Sequence, residues 1–300
     1  MRDYHLKSID LLNGESVTYR ETADQAKPKL LLIHGNMSSS IHFQTLMNEL
    51  EDHYHLISPD LPGFGSSTYN KEHDSLLDFA EDIESFVSGL SIEEFDVLGW
   101  STGGGIALEL AYLLPKQVKN VFLLSSVGVK GYPMFKKDEA FQPILTERLV
   151  TKEEIAADPV QVLPVLNFYA TKNKEAMRSI WDAAIYINEK PEELEYQAYL
   201  EDIIKQVNLV DIDYSLVHFN ITNESNGVNE GSGHIAGIQC PIVIIHGAKD
   251  MVVPLSQAEL SKQAFGEQAK LHILEEAGHA IVTDNMKKLV EIIKETSGGI

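Results

Sequence analysis

The chain has 300 residues, 44% of them hydrophobic, and its 45 acidic against 24 basic residues give a formal net charge of −21. This length and apolar content are enough for one large α/β domain with an insertion. A surface this negative repels polyanions, so we expect no nucleic-acid partner. The apolar runs are shorter than the roughly 18 residues of a transmembrane helix, so we also expect no membrane span.

Two further features of the sequence bear on where the protein works. Residues 1–7 lack the apolar stretch of a signal peptide. Cys240 is the only cysteine, which excludes an internal disulfide. We therefore expect a cytoplasmic protein that is either a monomer or a homodimer.

The first part of the chain alternates strands and helices. Residues 4–12 and 16–21 predict a hairpin, because the Asn13-Gly14 pair between them favours a tight turn. Apolar residues recur at helical spacing over residues 75–90. Further strands are predicted at residues 30–34, 56–59, 95–98 and 118–125, and further helices at residues 42–51 and 104–115.

The alternation stops between residues 128 and 237 and resumes at residue 238. This middle segment is rich in helix-forming residues and predicts helices at residues 152–157, 174–187 and 191–207. Its aromatic residues include Phe168, Tyr169, Trp181, Tyr186, Tyr196 and Tyr199. A helix with aromatic side chains on one face must bury that face, so we expect the segment to pack on the edge of the sheet.

Residues 99–103, with the sequence GWSTG, form the most informative motif. They lie between a predicted strand and a run of small residues that predicts a helix. Side chains at Gly99 and Gly103 would collide in so tight a turn, and the backbone of Ser101 is strained there. The Ser101 hydroxyl is thereby held at a helix N-terminus, whose amides favour an arriving negative charge. The pattern is typical of a serine nucleophile.

A carboxylate and a histidine follow at two later turns. Residues 241–245 are β-branched after Pro241 and predict a buried strand, and the turn after it carries Asp250. Residues 271–274 predict another strand, and the turn after it carries His279. Because parallel strands end at the same edge of a sheet, we expect these two side chains to lie close to Ser101.

Five motifs in this order resemble those of the α/β-hydrolase superfamily, in particular its small esterases, lactonases and haloperoxidase-like enzymes. The matching segments are residues 31–36 (LLIHGN), 60–67 (DLPGFGSS), 99–103 (GWSTG), 245–254 (IHGAKDMVVP) and 277–279 (AGH). The resemblance implies an α/β-hydrolase fold, with a mostly parallel, twisted sheet flanked by helices. It implies that residues 1–127 and 238–300 form the core, and that residues 128–237 form a helical cap inserted after the strand that follows the nucleophile helix.

The residue types predict a catalytic triad. Ser101 needs a base, which His279 supplies, and Asp250 orients the imidazole. Asp60 is a rival carboxylate, although it belongs to an early turn that precedes Ser101 in the chain. No metal or organic cofactor is needed for this chemistry.

The developing oxyanion needs two preorganised donors. The first is the backbone N–H of Thr102, the residue after the nucleophile. The resemblance implies that the second is the backbone N–H of Asn36, with Met37 as the alternative.

The apolar residues next to these motifs predict an acyl-binding pocket. We expect Met37, Trp100, Met251 and Val252 to contact the substrate, although Trp100 could instead pack against a helix. The predicted reaction is hydrolysis of a carboxylic ester with a small or medium apolar acyl group. A lactone, a thioester or a carbon–carbon bond remains possible as the target, as does cofactor-free haloperoxidase chemistry. A signalling or partner-binding protein with slow turnover is the alternative from another class.

Overall fold

An eight-stranded sheet forms the centre of the fold and confirms the predicted fold class. The structure, a computed structural model, describes residues 4–297. Within them the strand order is β1-β2-β4-β3-β5-β6-β9-β10, with β1–β2 and β2–β4 antiparallel and the remaining pairs parallel. The strands of this sheet are β1 Lys7–Asp10, β2 Ser16–Glu21, β3 Lys29–Ile33, β4 His55–Pro59, β5 Phe95–Trp100, β6 Val118–Leu124, β9 Ile242–Gly247 and β10 Ala269–Leu274.

Helices cover both faces of the sheet, as the strands require. Every residue of β5 and β9 is buried, which is typical of parallel strands packed on two sides. In β3, Leu31 and Ile33 face one apolar cluster, whereas Leu30 and Leu32 face the other. The helices on the first side are α2 Leu76–Gly89, α3 Thr102–Leu113 and α9 Leu255–Phe265, and those on the second are α1 Gln44–Leu50, α10 Ile281–Asp284 and α11 Met286–Thr296.

The predicted insertion, residues 128–237, lies between β6 and β9. Three of its helices were predicted, namely α4 Lys152–Ala156, α6 Lys174–Ala184 and α7 Glu193–Ile203. The structure adds elements that were not predicted: a hairpin of β7 Phe135–Lys137 and β8 Pro143–Arg148, and helices α5 Leu163–Ala170 and α8 Leu209–His218. The hairpin strands are largely exposed, so they lack the apolar alternation by which a strand is predicted.

Short 3-10 helices lie at Ser40–Phe43, His234–Gly237 and Gly266–Gln268. Over the part of the chain that the structure describes, no helix is both long and apolar enough to cross a bilayer.

Candidate active site

Ser101 lies in a strained turn between β5 and α3. Its φ is 56° and its ψ is −120°, a conformation that residues other than glycine rarely adopt. A Cβ atom on Gly99 would lie 2.2 Å from the carbonyl oxygen of Gly103, and one on Gly103 would lie 2.2 Å from that of Ile33. The backbones of the strand, the turn and the helix are therefore too close for any side chain at these two positions.

Backbone hydrogen bonds hold this turn in place. The N–H of Ser101 donates to the carbonyl of Leu124 in β6 at 3.0 Å, and the carbonyl of Ser101 accepts from Val127 at 3.1 Å. Helix α3 begins at Thr102. The Thr102 amide therefore belongs to the first turn, where amides have no acceptor within the helix.

Asp250 and His279 meet at the carboxyl ends of β9 and β10. The His279 Nδ1–H donates to Asp250 Oδ2 at 2.8 Å, and both side chains are almost fully buried. The other carboxylate oxygen, Oδ1, accepts from the backbone N–H groups of Val252 and Val253 at 2.8 and 2.9 Å. Three donors thus fix the Asp250 carboxylate. Because His279 uses Nδ1 for its bond to Asp250, its Nε2 atom takes no part in that bond.

Opposing effects set the charge of this buried carboxylate. Burial alone would raise the pKa of Asp250, but the adjoining His279 and the N–H of Val253 outweigh it and lower the pKa below its ordinary value. Asp250 is therefore ionised at neutral pH and stabilises positive charge on the imidazole.

Asp60, the rival carboxylate, is engaged elsewhere. Its Oδ1 accepts from the N–H of Ser40 at 2.9 Å, and its Oδ2 accepts from the Thr18 hydroxyl at 2.8 Å and the Ser66 N–H at 3.0 Å. These bonds connect the early turn to neighbouring segments, so Asp60 has a structural role.

The loop after β3 lies directly against the serine turn. A Cβ atom on Gly35 would lie 2.8 Å from the Cβ of Ser101. The N–H of Met37 donates to Asn36 Oδ1 at 2.9 Å and to Gln206 Oε1 at 3.1 Å. Because protein acceptors occupy the Met37 amide, Asn36 is the better candidate for an oxyanion donor.

The partly buried Asn36 side chain belongs to a set of side-chain amides, with the buried Gln206 and Asn208, that the sequence did not predict. Gln206 Nε2 donates to Asn36 Oδ1 at 2.8 Å and to Asn208 Oδ1 at 3.1 Å, and Asn208 Nδ2 donates to the carbonyl of Pro62 at 2.8 Å. The Tyr169 hydroxyl donates to Gln206 Oε1 at 2.9 Å. We call Asn36, Gln206 and Asn208 the amide relay. It joins the insertion to the loop beside Ser101.

A cavity of about 330 Å³ opens onto Ser101 and His279. Asn36 and Thr102 also line it, so all the predicted catalytic and oxyanion residues except Asp250, which lies behind His279, face one space. The insertion contributes apolar lining residues that include Met134, Val160, Val165, Ile180, Trp181 and Leu216. The cavity is thus mostly apolar.

Three of the four predicted substrate contacts line this cavity, namely Met37, Met251 and Val252. Trp100 is the fourth, and it is not among the described residues that line the cavity. Its predicted contact with substrate therefore has no support in the structure. Its side chain is 6% exposed, and its indole N–H donates to the carbonyl of His279 at 3.0 Å. Trp100 packs behind the histidine because strand β5 turns its side chain toward the core.

Of the six aromatic residues noted in the insertion, Trp181 lines the cavity. Tyr186 and Tyr196 pack edge to face with ring centroids 5.1 Å apart, and Tyr199 stacks on His42 at 4.2 Å. These rings hold the insertion together and attach it to the core, while aliphatic side chains supply most of the lining.

Asp213 is a cavity residue that the sequence did not reveal. It lies on α8, is 9% exposed, and its Oδ1 accepts from Asn36 Nδ2 at 3.0 Å. Burial, reinforced by the negative charge of Asp158, raises the pKa of Asp213 to about 8. Nothing in the local sequence LVDIDYSLVH separates Asp213 from Asp211, which pairs with Lys152 outside the cavity.

Comparison with known proteins agrees with the fold described above. The family model described as alpha/beta hydrolase fold matches residues 28–285. Lipase 3 of Moraxella sp. (strain TA144) is 26% identical over 297 residues, which span 98% of this chain and 83% of the lipase. A solved structure of an esterase from Exiguobacterium antarcticum superposes with a TM-score of 0.71 at 21% identity, covering 96% of this chain and 98% of that one.

A second solved structure, the enol-lactonase from Burkholderia xenovorans LB400, has a TM-score of 0.70 at 14% identity and covers 96% of this chain and 98% of its own. At such low sequence identities these superpositions show the fold alone. The family match covers most of the chain and includes the serine turn and both later turns. The chain therefore belongs to the α/β-hydrolase fold family.

Proposed function

We propose that this protein is a serine hydrolase that cleaves a carboxylic ester with a small or medium apolar acyl group. Ser101 attacks the ester carbonyl while His279 Nε2 takes the hydroxyl proton. His279 then gives that proton to the departing alcohol, which leaves an acyl-enzyme on Ser101. Water, deprotonated by His279, attacks the acyl-enzyme and releases the acid and the free serine.

One observation carries the proposal. A buried, fully hydrogen-bonded carboxylate, Asp250, holds the Nδ1–H of His279 at 2.8 Å, and this histidine shares its cavity with a serine in a strained turn. An ionised carboxylate in this position fixes the imidazole tautomer and stabilises the imidazolium. An ordinary surface serine needs none of these features.

The oxyanion site follows from the same turn. We assign the two donors to the backbone N–H groups of Thr102 and Asn36. The first lies in the opening turn of α3, whose dipole favours negative charge. The second lies in the loop that packs against Ser101. Donors fixed before the reaction stabilise the tetrahedral intermediate without further reorganisation.

The cavity supports an apolar acyl group. Its volume of about 330 Å³ and its aliphatic lining suit a short or medium chain or a small ring. We also propose that residues 128–237 act as a cap, because Met134, Val165 and Ile180 from this insertion line the cavity that opens onto Ser101. Relatives and neighbours named as lipases and esterases accord with ester hydrolysis, and the enol-lactonase makes lactones the second substrate class to test.

The test compares wild type with Ser101→Ala on p-nitrophenyl esters, lactones and thioesters, together with labelling by a fluorophosphonate probe. We expect wild type to hydrolyse at least one ester class, and Ser101→Ala to lose about 10⁶ in kcat and all labelling. Ser256→Ala, which changes an exposed serine on α9, is the control and should behave as wild type.

Two results would contradict the proposal. Retained turnover in Ser101→Ala would place the nucleophile elsewhere. Labelling of wild type with negligible turnover of every substrate would favour a ligand-sensing protein that uses the same fold.

A further inference from the structure

One carboxyl group lines the mostly apolar cavity and has no part in the proposed triad. Asp213 faces the cavity together with Leu216 on the same helix and with Tyr132. Among residues 4–297, no lysine, arginine or histidine nitrogen comes within the 4.0 Å of an ion pair to its carboxylate. Burying a carboxyl group without a cationic partner costs free energy unless the group is neutral or binds a ligand.

The amide relay determines which oxygen of Asp213 is free. Because Asn208 Nδ2 donates to the carbonyl of Pro62, its Oδ1 is the atom that accepts from Gln206. Gln206 Nε2 therefore donates onward to Asn36 Oδ1, which leaves Asn36 Nδ2 as the donor to Asp213 Oδ1. The Met37 N–H donates to the same side-chain atom of Asn36, and because an N–H needs an acceptor, that atom must be the amide oxygen. Oδ1 is thus the acceptor oxygen of Asp213.

We propose that Asp213 is a specificity-determining residue whose Oδ2–H donates a hydrogen bond to an ether or oxo oxygen in the acyl part of the substrate. The preferred esters are then oxygen-substituted acyl esters rather than plain alkyl ones. This inference rests on the proposed ester hydrolysis and names the substrate class within it.

The surroundings of Asp213 favour its neutral form at pH 7. The nearby titratable groups are Tyr132 and Tyr169, both held neutral because burial raises their pKa, and Asp158, which pairs with Lys137 at 2.8 Å. His279 faces the same cavity. Burial raises the pKa of Asp213 to about 8, so the carboxyl group keeps its proton and can donate it. A neutral group also avoids opposing the oxyanion that forms near Asn36.

The assignment to the acyl side follows from exposure along the cavity. Met251 is 69% exposed and Val160 is 45% exposed, so they mark the open end, whereas Asp213 is 9% exposed. The alcohol must leave and water must enter while the acyl group stays attached to Ser101. We therefore assign the buried end, with Asp213, to the acyl group.

The experiment uses two esters of equal length, p-nitrophenyl pentanoate and p-nitrophenyl 3-methoxypropanoate, in which an ether oxygen replaces one methylene. The measured quantity is the ratio of their kcat/KM values, methoxy over alkyl, from about pH 6 to pH 9.5. Taking a ratio cancels any pH dependence that the two substrates share. The variants are Asp213→Leu, Asp213→Asn and, as a control on the same helix, Asp211→Asn.

We expect Asp213→Leu to lower the ratio about tenfold, the effect of losing one hydrogen bond. Asp213→Asn should keep a high ratio, because the introduced amide accepts from Asn36 and still donates to the substrate. In wild type the ratio should fall as the pH rises through about 8, while in Asp213→Asn it should stay level. Asp211→Asn should keep the wild-type ratio and its pH dependence.

A ratio that is the same in Asp213→Leu and wild type would overturn the inference while leaving ester hydrolysis intact. Equal losses in Asp213→Leu and Asp213→Asn would overturn the donor role. If wild type hydrolyses neither ester nor any other ester of the panel, the proposed function fails and this inference fails with it.

Discussion

The indole N–H of Trp100 donates to the backbone carbonyl of His279 at 3.0 Å, across 179 positions of the chain. The ring also lies against the imidazole, with centroids 5.6 Å apart. The residue before the proposed nucleophile thus positions the proposed base. This bond couples the serine turn to the histidine turn independently of Asp250.

Removing this bond should slow the chemistry without altering selectivity. We expect Trp100→Phe to lower kcat about tenfold, because a small displacement of His279 spoils proton transfer. The factor should be the same for p-nitrophenyl esters from acetate to decanoate, since Trp100 does not line the cavity. A change in chain-length preference would instead place Trp100 in contact with the substrate.

The carboxylate of the proposed triad gives the second prediction. Asp250→Asn should keep the fold and lower kcat by roughly 10⁴, because the amide stabilises the wrong tautomer of His279. Circular dichroism and steady-state kinetics check the two parts. Glu276→Gln, which alters an exposed partner of Lys249, is the control and should be silent. A nearly silent Asp250→Asn would mean that another carboxylate serves His279.

The amide relay predicts that the insertion influences the proposed oxyanion site. Gln206→Leu leaves Asn36 Oδ1 and the Met37 N–H with one partner fewer. We expect kcat to fall by roughly tenfold to a hundredfold with little change in KM, since oxyanion contacts form mainly in the transition state. The free energy of unfolding should also fall by about 1–3 kcal/mol. Loss of stability with unchanged kcat would show a purely structural role for Gln206.

Substitutions in the lining of the insertion should change acyl selectivity. Ile180→Ala and Val165→Ala enlarge the cavity and should shift the optimum of kcat/KM toward longer acyl chains. Labelling by a small fluorophosphonate should change less, because the proposed triad is unchanged in these variants. Ser179→Ala, on the exposed face of α6, is the matched control. If every substrate is affected equally, these side chains do not bind the acyl group.

Asp213 predicts a dependence of stability on pH. Its carboxyl pKa is about 8 in the folded protein, against an ordinary value of 3.8. Between these values the folded state binds a proton that the unfolded state has lost. The stabilising contribution is therefore complete below pH 4, and it falls by about 1.4 kcal/mol per pH unit until about pH 8, after which it is level.

The measurement is urea unfolding of wild type and Asp213→Asn at about pH 5, 7 and 9. The variant has no group to ionise at this position, so its stability relative to wild type should rise across the series. A difference that stays constant with pH would show that the Asp213 carboxyl titrates near its ordinary value.

The fold followed from the sequence because its signals are local. The strand runs are continuous β-branched and apolar segments, and the glycines at 99 and 103 report a backbone contact that admits no side chain. Each such signal lies within a few neighbouring residues. The exposed β7–β8 hairpin carries no such signal, so it was not predicted.

Ser101, Asp250 and His279 could be named from the sequence because each follows a recognisable strand, and parallel strands end at one edge of a sheet. The contacts of Asp213, Gln206 and Trp100 could not be predicted in this way. Asp213 meets Asn36 across 177 positions, and Gln206 meets it across 170. Hydrogen bonds and burial between such distant residues depend on how the insertion packs on the core. Only the tertiary structure decides that packing, because the local sequence of a helix fixes its face but not its partner.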